Sequence, residues 1–199
     1  MSNSLCVVGH YTDAPEDNLL GITDKQQLNE EEARGVVRAE AFLLDLELPV
    51  ELTTGLPLEI HRVTFGHLYD WAGQWRRSNP NVGSFVPPVF QQVPTLMYQF
   101  VEEVRFRQER VGSEAEVVQL LAYAHHRLVA IHPFTNGNGR MARLLTNLLA
   151  FLHGYQDVAL YAREAGESRK KYLQAMRLGD THDFSELEAL IRAQLVPLV

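Results

Sequence analysis

Several features that define other classes of protein are scarce or missing in this sequence. Cys6 is the only cysteine among 199 residues, which excludes an intramolecular disulfide and is typical of a reducing compartment. No uninterrupted apolar run approaches the roughly 20 residues that span a membrane. The first residues also lack the positively charged and apolar regions of a signal peptide. We therefore expect a cytoplasmic protein with no membrane partner.

An excess of positive charge is missing as well. The chain carries 18 Lys and Arg against 25 Asp and Glu, a formal net charge of -7 at pH 7, whereas nucleic-acid binders use a basic surface to neutralise phosphates. We therefore expect no nucleic-acid partner, and an anionic ligand must be held by a local cluster of donors. The hydrophobic fraction of 46% is enough for one sizeable core.

Helical patterns fill most of the chain. Residues 1–28 are polar, acidic and rich in turn residues, which predicts a leader segment, and residues 29–199 are predicted to form one domain. Asn29 is a candidate N-cap for the first helix. Apolar spacing predicts a second helix from Leu56 to about Gly73.

One stretch interrupts the helical patterns. Between Asn79 and Pro94, asparagine, glycine and proline break the helical period, and the apolar residues among them suit a short extended hairpin. Further along, Ser113 with Glu116 three residues later predicts the capped start of another helix. The predicted fold class is all-α with one small β element.

The stretch His132–Arg140, HPFTNGNGR, combines an unusual set of residue types. Pro133 disfavours the α conformation at His132, so the preceding helix should end there. Phe134 is the expected anchor that folds the following turn into the core, and the glycines after it can adopt positive φ. His132 is therefore expected at a helix end, beside a loop that opens the next helix.

That loop is suited to an anion. Backbone N–H groups and the positive end of the helix dipole form a site for phosphate. Arg140 and Arg143, at i, i+3 spacing in the first turn of the next helix, can face the same ligand, which suggests a polyphosphate. An imidazole beside it can deprotonate a hydroxyl that attacks phosphorus. The alternative is a plain helix-loop-helix turn with solvated arginines.

The segment His132–Arg143, HPFTNGNGRMAR, resembles the signature of the Fic (filamentation-induced-by-cAMP) family, His-x-Phe-x-(Asp/Glu)-Gly-Asn-Gly-Arg-x-x-Arg. The layout is most similar to small bacterial Fic proteins of mobile elements, over roughly residues 18–195. The resemblance implies a helical Fic fold with a small β-hairpin flap. It implies a protein adenylyltransferase that transfers AMP from ATP to a Ser, Thr or Tyr hydroxyl of a target protein and releases pyrophosphate, with toxin-like or regulatory consequences.

The resemblance also implies roles for individual residues. His132 would be the general base for the target hydroxyl, and Phe134 would be structural. The nucleotide and its phosphates would be bound by Asn136, Gly137, Asn138, Gly139, Arg140 and Arg143. Tyr172, in a helix after the motif, would approach the base of the nucleotide, with simple packing as the alternative. The flap would hold an extended target segment by main-chain pairing at Gly83, Ser84, Phe85 and Val86.

Asn136 stands where the signature has an acid that binds Mg²⁺. A hard cation such as Mg²⁺ usually takes at least one carboxylate together with the phosphates, so a neutral amide should bind it more weakly. Asn136 is therefore a weak candidate for a metal ligand, with Mg²⁺ held mainly through the ATP phosphates. The substitution leaves open slower transfer, a different metal demand, a different nucleotide or removal of AMP.

Other functions of the same site remain open. One is a Fic-type phosphotransferase or another nucleotidyltransferase, although Gly137 and Arg140 argue against the phosphotransferase. A second is removal of AMP from a protein, for which no acid that could orient water is evident. The third is a non-catalytic nucleotide-binding or interaction module weakened by Asn136.

The resemblance also implies a regulator. Many Fic proteins are held inactive by a helix with Ser/Thr-x-x-x-Glu-Gly/Asn, whose Glu pairs with the second motif arginine. No clear copy is present, because the acidic patch Glu30–Glu32 lacks the flanking residues. We expect a separate antitoxin or inhibitor protein that directs a Glu toward Arg143.

Two further pairs of residues are predicted to lie at packing or solvent-exposed positions and not in a binding site. Arg76 and Arg77 are predicted to be a solvated face, with contact to a ligand or an acidic target as the alternative. His125 and His126 point apart on a helix and no ligand set is evident around them, so packing and surface positions are predicted in preference to zinc.

Overall fold

The computed structural model describes residues 17–80, 85–160 and 166–198. In these ranges the chain forms seven α-helices and one short 3-10 helix, with no β-sheet. The α-helices are α1 (Lys25–Leu44), α2 (Gly55–Phe65), α3 (Val93–Gln108), α4 (Glu114–Ile131), α5 (Asn138–Leu152), α6 (Glu167–Gly179) and α7 (Ser185–Arg192). The helical part of the predicted fold class is confirmed. The small β element stays a prediction, because residues 81–84 of that stretch lie outside the described residues.

The start of α1 differs from its prediction. Its N-cap is Asp24, whose Oδ1 accepts a hydrogen bond from the Gln27 N–H at 2.7 Å, so the prediction of Asn29 as the N-cap was wrong. Asp is among the best N-caps, and the earlier start places Leu28 on the buried side of the helix. The predicted boundary between residues 28 and 29 falls inside α1.

The end of α2 also differs from its prediction. The helix stops at Phe65 with Gly66 as its C-cap, eight positions before Gly73. Successive turns follow, and Gly73 has a φ of 76°, which a regular helix cannot contain. These turns bring Leu68 and Tyr69 back against Phe65 in a small buried cluster.

Residues from all seven α-helices build the main core. α4 packs against α5, and α3 and α7 pack against α4. The predicted cap of α4 is confirmed, because Ser113 accepts from the Glu116 N–H and the Glu116 carboxylate accepts from Gly112. Among the described residues no helix is both long and apolar enough to cross a lipid bilayer. The C-terminal end of α4 and the N-terminal end of α5 meet at residues 132–137.

Candidate functional site

His132 terminates α4, as the following proline predicts. Its φ and ψ are 53° and 57°, in the left-handed region, and its N–H donates to the Leu128 carbonyl at 3.1 Å. The residue is only 7% exposed. A left-handed L residue is strained by roughly 1–2 kcal/mol, so surrounding contacts must hold it there.

Phe134 anchors the loop, which confirms its predicted structural role. Its ring is fully buried and lies parallel to the His61 imidazole, with 3.9 Å between ring centroids. The Asn138 side chain closes the turn: its Oδ1 accepts from the Phe134 N–H and its Nδ2 donates to the Phe134 carbonyl, both at 2.8 Å. The Asn138 side-chain amide therefore shapes the loop from inside.

His61 contacts the loop on its buried side and holds it in place, a role that the sequence did not predict. Its Nδ1 accepts from the Gly73 N–H at 2.9 Å, which leaves Nε2–H to donate to the Asn136 carbonyl at 3.1 Å. Burial lowers the pKa of His61 to about 4, against the opposing effect of the bond to Asn136, and the Arg140 charge lowers it further. Because both nitrogens of the neutral ring form hydrogen bonds, His61 keeps a fixed distance between Gly73 and Asn136. No residue pattern near His61 in the sequence indicates this role.

The two glycines of the loop occupy different environments. Gly137 is the N-cap of α5 with a φ of 80°, and a Cβ there would lie 2.5 Å from Cε2 of Phe65. A Cβ on Gly139 would meet no atom within 4 Å. Packing and backbone conformation therefore require glycine at 137 only, and the first turn of α5 faces open space at 139.

Arg140 is already oriented by other side chains. Its Nη1 donates to Oε2 of Glu32 at 2.7 Å, and the guanidinium carbon lies 4.5 Å from the centroid of the Phe65 ring. Glu32 is 2% exposed and also accepts from the Tyr69 hydroxyl at 2.9 Å. The Nη2 atom of Arg140 is buried and has no hydrogen-bond partner within the described ranges. An oriented cationic donor therefore remains for a ligand.

Arg143 of α5 and Tyr172 of α6 both lie near His125 of α4. Tyr172 is 7% exposed, and its hydroxyl lies 2.9 Å from Nε2 of His125, whose Nδ1 lies 3.1 Å from Oγ1 of Thr146. Burial lowers the pKa of His125 to about 3, with a further decrease from the Arg143 charge. Tyr172 thus belongs to a buried network, and its approach to a nucleotide base stays a prediction.

The adjacent histidines are both interior residues. His125 is fully buried and His126 is 4% exposed, with Nε2 of His126 3.0 Å from Oδ1 of Asp180. The expected packing is confirmed, and the expected surface position is wrong because α4 is covered on both sides, by α5 and by the region of α6 and α7. Within residues 17–80, 85–160 and 166–198, no group of three or more His, Cys, Asp or Glu could hold a metal.

Arg76 corrects another prediction. The residue is 3% exposed, and its Nε donates to the His132 carbonyl at 2.7 Å, so a solvated position was the wrong expectation for it. Arg77 is exposed, as predicted. The two differ because the chain turns after Gly73 and directs one of them toward the end of α4.

The remaining predicted residues are placed as follows. Oδ1 of Asn136 accepts from the Gly137 N–H at 2.7 Å. Gly83 and Ser84 lie outside the described residues. Phe85 is half-buried, and Val86 is 86% exposed.

The region that contains the loop between α4 and α5 is shared with known proteins. Residues 51–150 match the model of the Fic/DOC family. The protein adenylyltransferase Fic of Drosophila persimilis is 36% identical over 135 residues, which cover 67% of this chain and 25% of that protein. Its counterpart in Drosophila melanogaster is 34% identical, covering 67% and 26%. The chain therefore spans about a quarter of the length of these relatives.

Solved structures share the fold. BepC from Bartonella tribocorum, with bound AMPPNP, has a TM-score of 0.76 at 18% identity, covering 92% of each chain. An N-terminal Fic domain from Bartonella quintana, with bound ADP, has a TM-score of 0.73 at 18% identity, covering 95% of each chain. Fic-1 from C. elegans has a TM-score of 0.71 at 26% identity, covering 87% of this chain and 50% of that one.

Proposed function

Because this chain belongs to the Fic/DOC family, we propose that it is a protein adenylyltransferase, which transfers AMP from ATP to a Ser, Thr or Tyr hydroxyl of a target protein. The observation that carries the proposal is the junction of α4 and α5. His132 ends one helix, and the next begins with an open, glycine-lined turn beside the Arg140 guanidinium. Relatives named protein adenylyltransferase support the same activity.

The proposed reaction is an in-line displacement at the α-phosphorus of ATP. The target hydroxyl oxygen attacks that phosphorus while its proton passes to the His132 imidazole. The bond from the α-phosphorus to the oxygen that bridges to the β-phosphate breaks, and pyrophosphate leaves with the electron pair. A new phosphodiester joins AMP to the target.

The start of α5 would hold the phosphates. Its first backbone N–H groups have no helical partners, and the helix dipole favours negative charge there. Gly139 adds no side chain over these donors, so phosphate oxygens can approach closely. Arg140 would contribute its Nη2, and Arg143 would act from one turn further on. Fixed donors of this kind stabilise the charge of phosphoryl-type transition states.

Two predicted contacts take a narrower form here. Asn138 would bind phosphate through its backbone N–H, because both polar atoms of its side chain are bonded to Phe134. Tyr172 would meet the nucleotide base with its ring, because its hydroxyl is directed at His125.

Magnesium would arrive with the ATP phosphates. Asn136 offers a neutral amide oxygen that already accepts from Gly137, and no acidic cluster accompanies it in the described parts of the chain. The protein residues therefore do not fit a site that holds Mg²⁺ by itself, and no step of the proposed reaction depends on one.

The target and the regulator are also part of the proposal. An extended target segment would pair with the main chain of the flap at Gly83, Ser84, Phe85 and Val86. A separate inhibitor would direct a Glu toward Arg143. The buried acid of this chain beside the motif, Glu32, is paired with the first motif arginine, Arg140, which leaves that role to a partner.

The test is transfer of label from ATP to protein. Purified protein is incubated with lysate and with ATP labelled with ³²P at the α- or the γ-position. His132→Ala should lower transfer from the α-position by about 100-fold or more, since general-base catalysis contributes about that factor. His182→Ala is the matched control, because His182 is also a left-handed non-glycine residue, with a φ of 67°, but it is exposed.

The outcomes separate the possible functions. Label from the α-position that His132→Ala removes and His182→Ala retains supports adenylyl transfer. Label from the γ-position alone, on a band that appears only when the purified protein is added to the lysate, indicates a phosphotransferase. Binding of AMPPNP without transfer of either label indicates a binding module and contradicts the proposal.

A further inference from the structure

We propose that Arg76 is a positioning residue that holds the proposed general base and both ends of the flap segment, residues 78–90, in one fixed arrangement. The inference rests on the proposed function, but its geometry is independent of it. Arg76 is 3% exposed, whereas its neighbour Arg77 is exposed and donates to Gln74 at 3.2 Å. A buried guanidinium is stable only when acceptors replace its hydration, and burial lowers the pKa of Arg76.

On one side, Arg76 contacts the backbone where α4 ends. Its main-chain N–H donates to the Pro133 carbonyl at 2.9 Å, and its Nε donates to the His132 carbonyl at 2.7 Å. The last carbonyls of a helix lack helical partners, and His132 is held in a conformation that few L residues adopt. Arg76 therefore fixes the peptide groups from which the proposed base projects.

On the other side, the same guanidinium contacts both ends of the flap segment. Its Nη1 donates to the Ser78 carbonyl at 2.9 Å, and its Nη2 donates to the Pro88 carbonyl. Asn79 adds a cross-link, because its Oδ1 accepts from the Phe90 N–H at 2.9 Å and lies 3.4 Å from Nη1 of Arg76. Arg76 and Asn79 therefore link the chain at residues 78–79 to the chain at residues 88–90.

Only arginine can make these contacts together. The guanidinium is planar, and its five donors point in fixed directions, whereas a lysine ammonium is a compact charge on a flexible stem. The Arg76 donors reach neutral oxygens at both ends of the flap segment and at the end of α4. A target hydroxyl held by the flap would thereby be positioned relative to His132 through the backbone groups that Arg76 contacts.

The first arm of the test probes the contacts of Arg76 with the flap segment by a measurement that does not depend on enzymatic activity. Amide hydrogen exchange is recorded on the full chain for the wild type, Arg76→Gln, Arg76→Lys and the control Arg77→Gln. We expect the Phe90 amide to exchange about tenfold faster in both Arg76 variants, because opening of the flap base becomes easier, and Leu121 inside α4 to be unchanged. Wild-type exchange at Phe90 in Arg76→Gln would overturn the proposal.

The second arm measures transfer of α-³²P-AMP against a dilution series of lysate at saturating ATP. We expect Arg76→Lys to lower the maximal rate by about tenfold, since small displacements of reacting groups slow reactions by such factors or more. The apparent KM for lysate protein should rise, and the Kd for AMPPNP should stay within about threefold. Arg77→Gln should match the wild type throughout.

A further variant separates the two sides. Asn79→Ala removes the link to Phe90 and leaves the bond to the His132 carbonyl, so it should raise the KM for lysate protein with little change in the maximal rate. If the wild type transfers no AMP, the proposed function fails and the exchange arm alone decides the role of Arg76. If the wild type transfers AMP and Arg76→Lys equals it in both parameters, the positioning role is wrong.

Discussion

The inner face of the loop between α4 and α5 is packed, whereas its outer face is open. On the inner face, Phe134 and Asn138 are at most 3% exposed, and Gly137 lies against the Phe65 ring. On the outer face, Thr135 and Gly139 are exposed, and Gly139 has no neighbour where a Cβ would stand. Consecutive residues of one motif therefore meet either the core or the space where a ligand would bind.

This difference divides the motif into two kinds of requirement. Residues of the inner face set the shape of the loop, so their substitution should act first on stability. Residues of the outer face should act on ligand binding while the fold stays intact. The following variants test that division, from the largest expected effect on stability to the smallest.

Gly137→Ala should have the largest effect. The substitution places a Cβ 2.5 Å from a buried ring and forces an L residue to a φ of 80°. The strain and the overpacking together should lower the free energy of unfolding by about 3 kcal/mol. In a chain of this size, that corresponds to a fall in Tm of roughly 6–12 °C by thermal denaturation. An unchanged Tm would contradict the packed inner face.

Asn138→Ala should have the next largest effect. It leaves both the N–H and the carbonyl of Phe134 without their side-chain partner, which should lower the free energy of unfolding by about 2 kcal/mol. Asn147→Ala is the control, because among the described residues Oδ1 of Asn147 accepts one bond, from the Val158 N–H at 3.1 Å. Denaturant unfolding of both variants should show the larger loss for Asn138→Ala.

Acidification should lower the free energy of unfolding through the buried histidines His61 and His125. The pKa values of His61 and His125 are lowered, chiefly by burial, from 6.5 to about 4 and about 3. Between these values and 6.5 the unfolded chain binds more protons, so stability falls as the pH decreases. Each histidine should contribute up to about 1.4 kcal/mol per pH unit there and almost nothing above about pH 7.5.

Denaturant unfolding between pH 5 and 7.5 measures this slope. His125→Gln should reduce the slope by one histidine's share, because it removes one of the groups whose pKa is lowered by burial. A slope that His125→Gln leaves unchanged would show that His125 does not titrate in this way.

Gly139→Ala should have the smallest effect on stability. No atom opposes the new methyl group, and alanine is favoured over glycine inside a helix, so the free energy of unfolding should be unchanged or rise by up to about 1 kcal/mol. The methyl group should nevertheless hinder the approach of phosphate to the backbone donors and lower the affinity for AMPPNP by about tenfold. Calorimetric titration measures the affinity for AMPPNP. Normal affinity would contradict the open outer face as the ligand site.

Local signals in the sequence were sufficient for several features. The stop of α4 at His132, the burial of Phe134 and the cap at Ser113 each depend on residues within a few positions of one another. Steric restriction by proline and local side-chain capping act over that range. The start of α1 and the end of α2 were placed wrongly, because Asp24 and Gly66 compete with neighbouring residues of similar propensity.

The sequence by itself determined the helical class, the junction of helix, glycine loop and helix, and the family, because these follow from local sterics and from residue types in fixed order. Only the tertiary structure decided which residues support that junction. His61 bonds to Asn136 from 75 positions away, Glu32 to Arg140 from 108, and Arg76 to His132 from 56. Such contacts depend on how the helices pack, and no local pattern of residues encodes that packing.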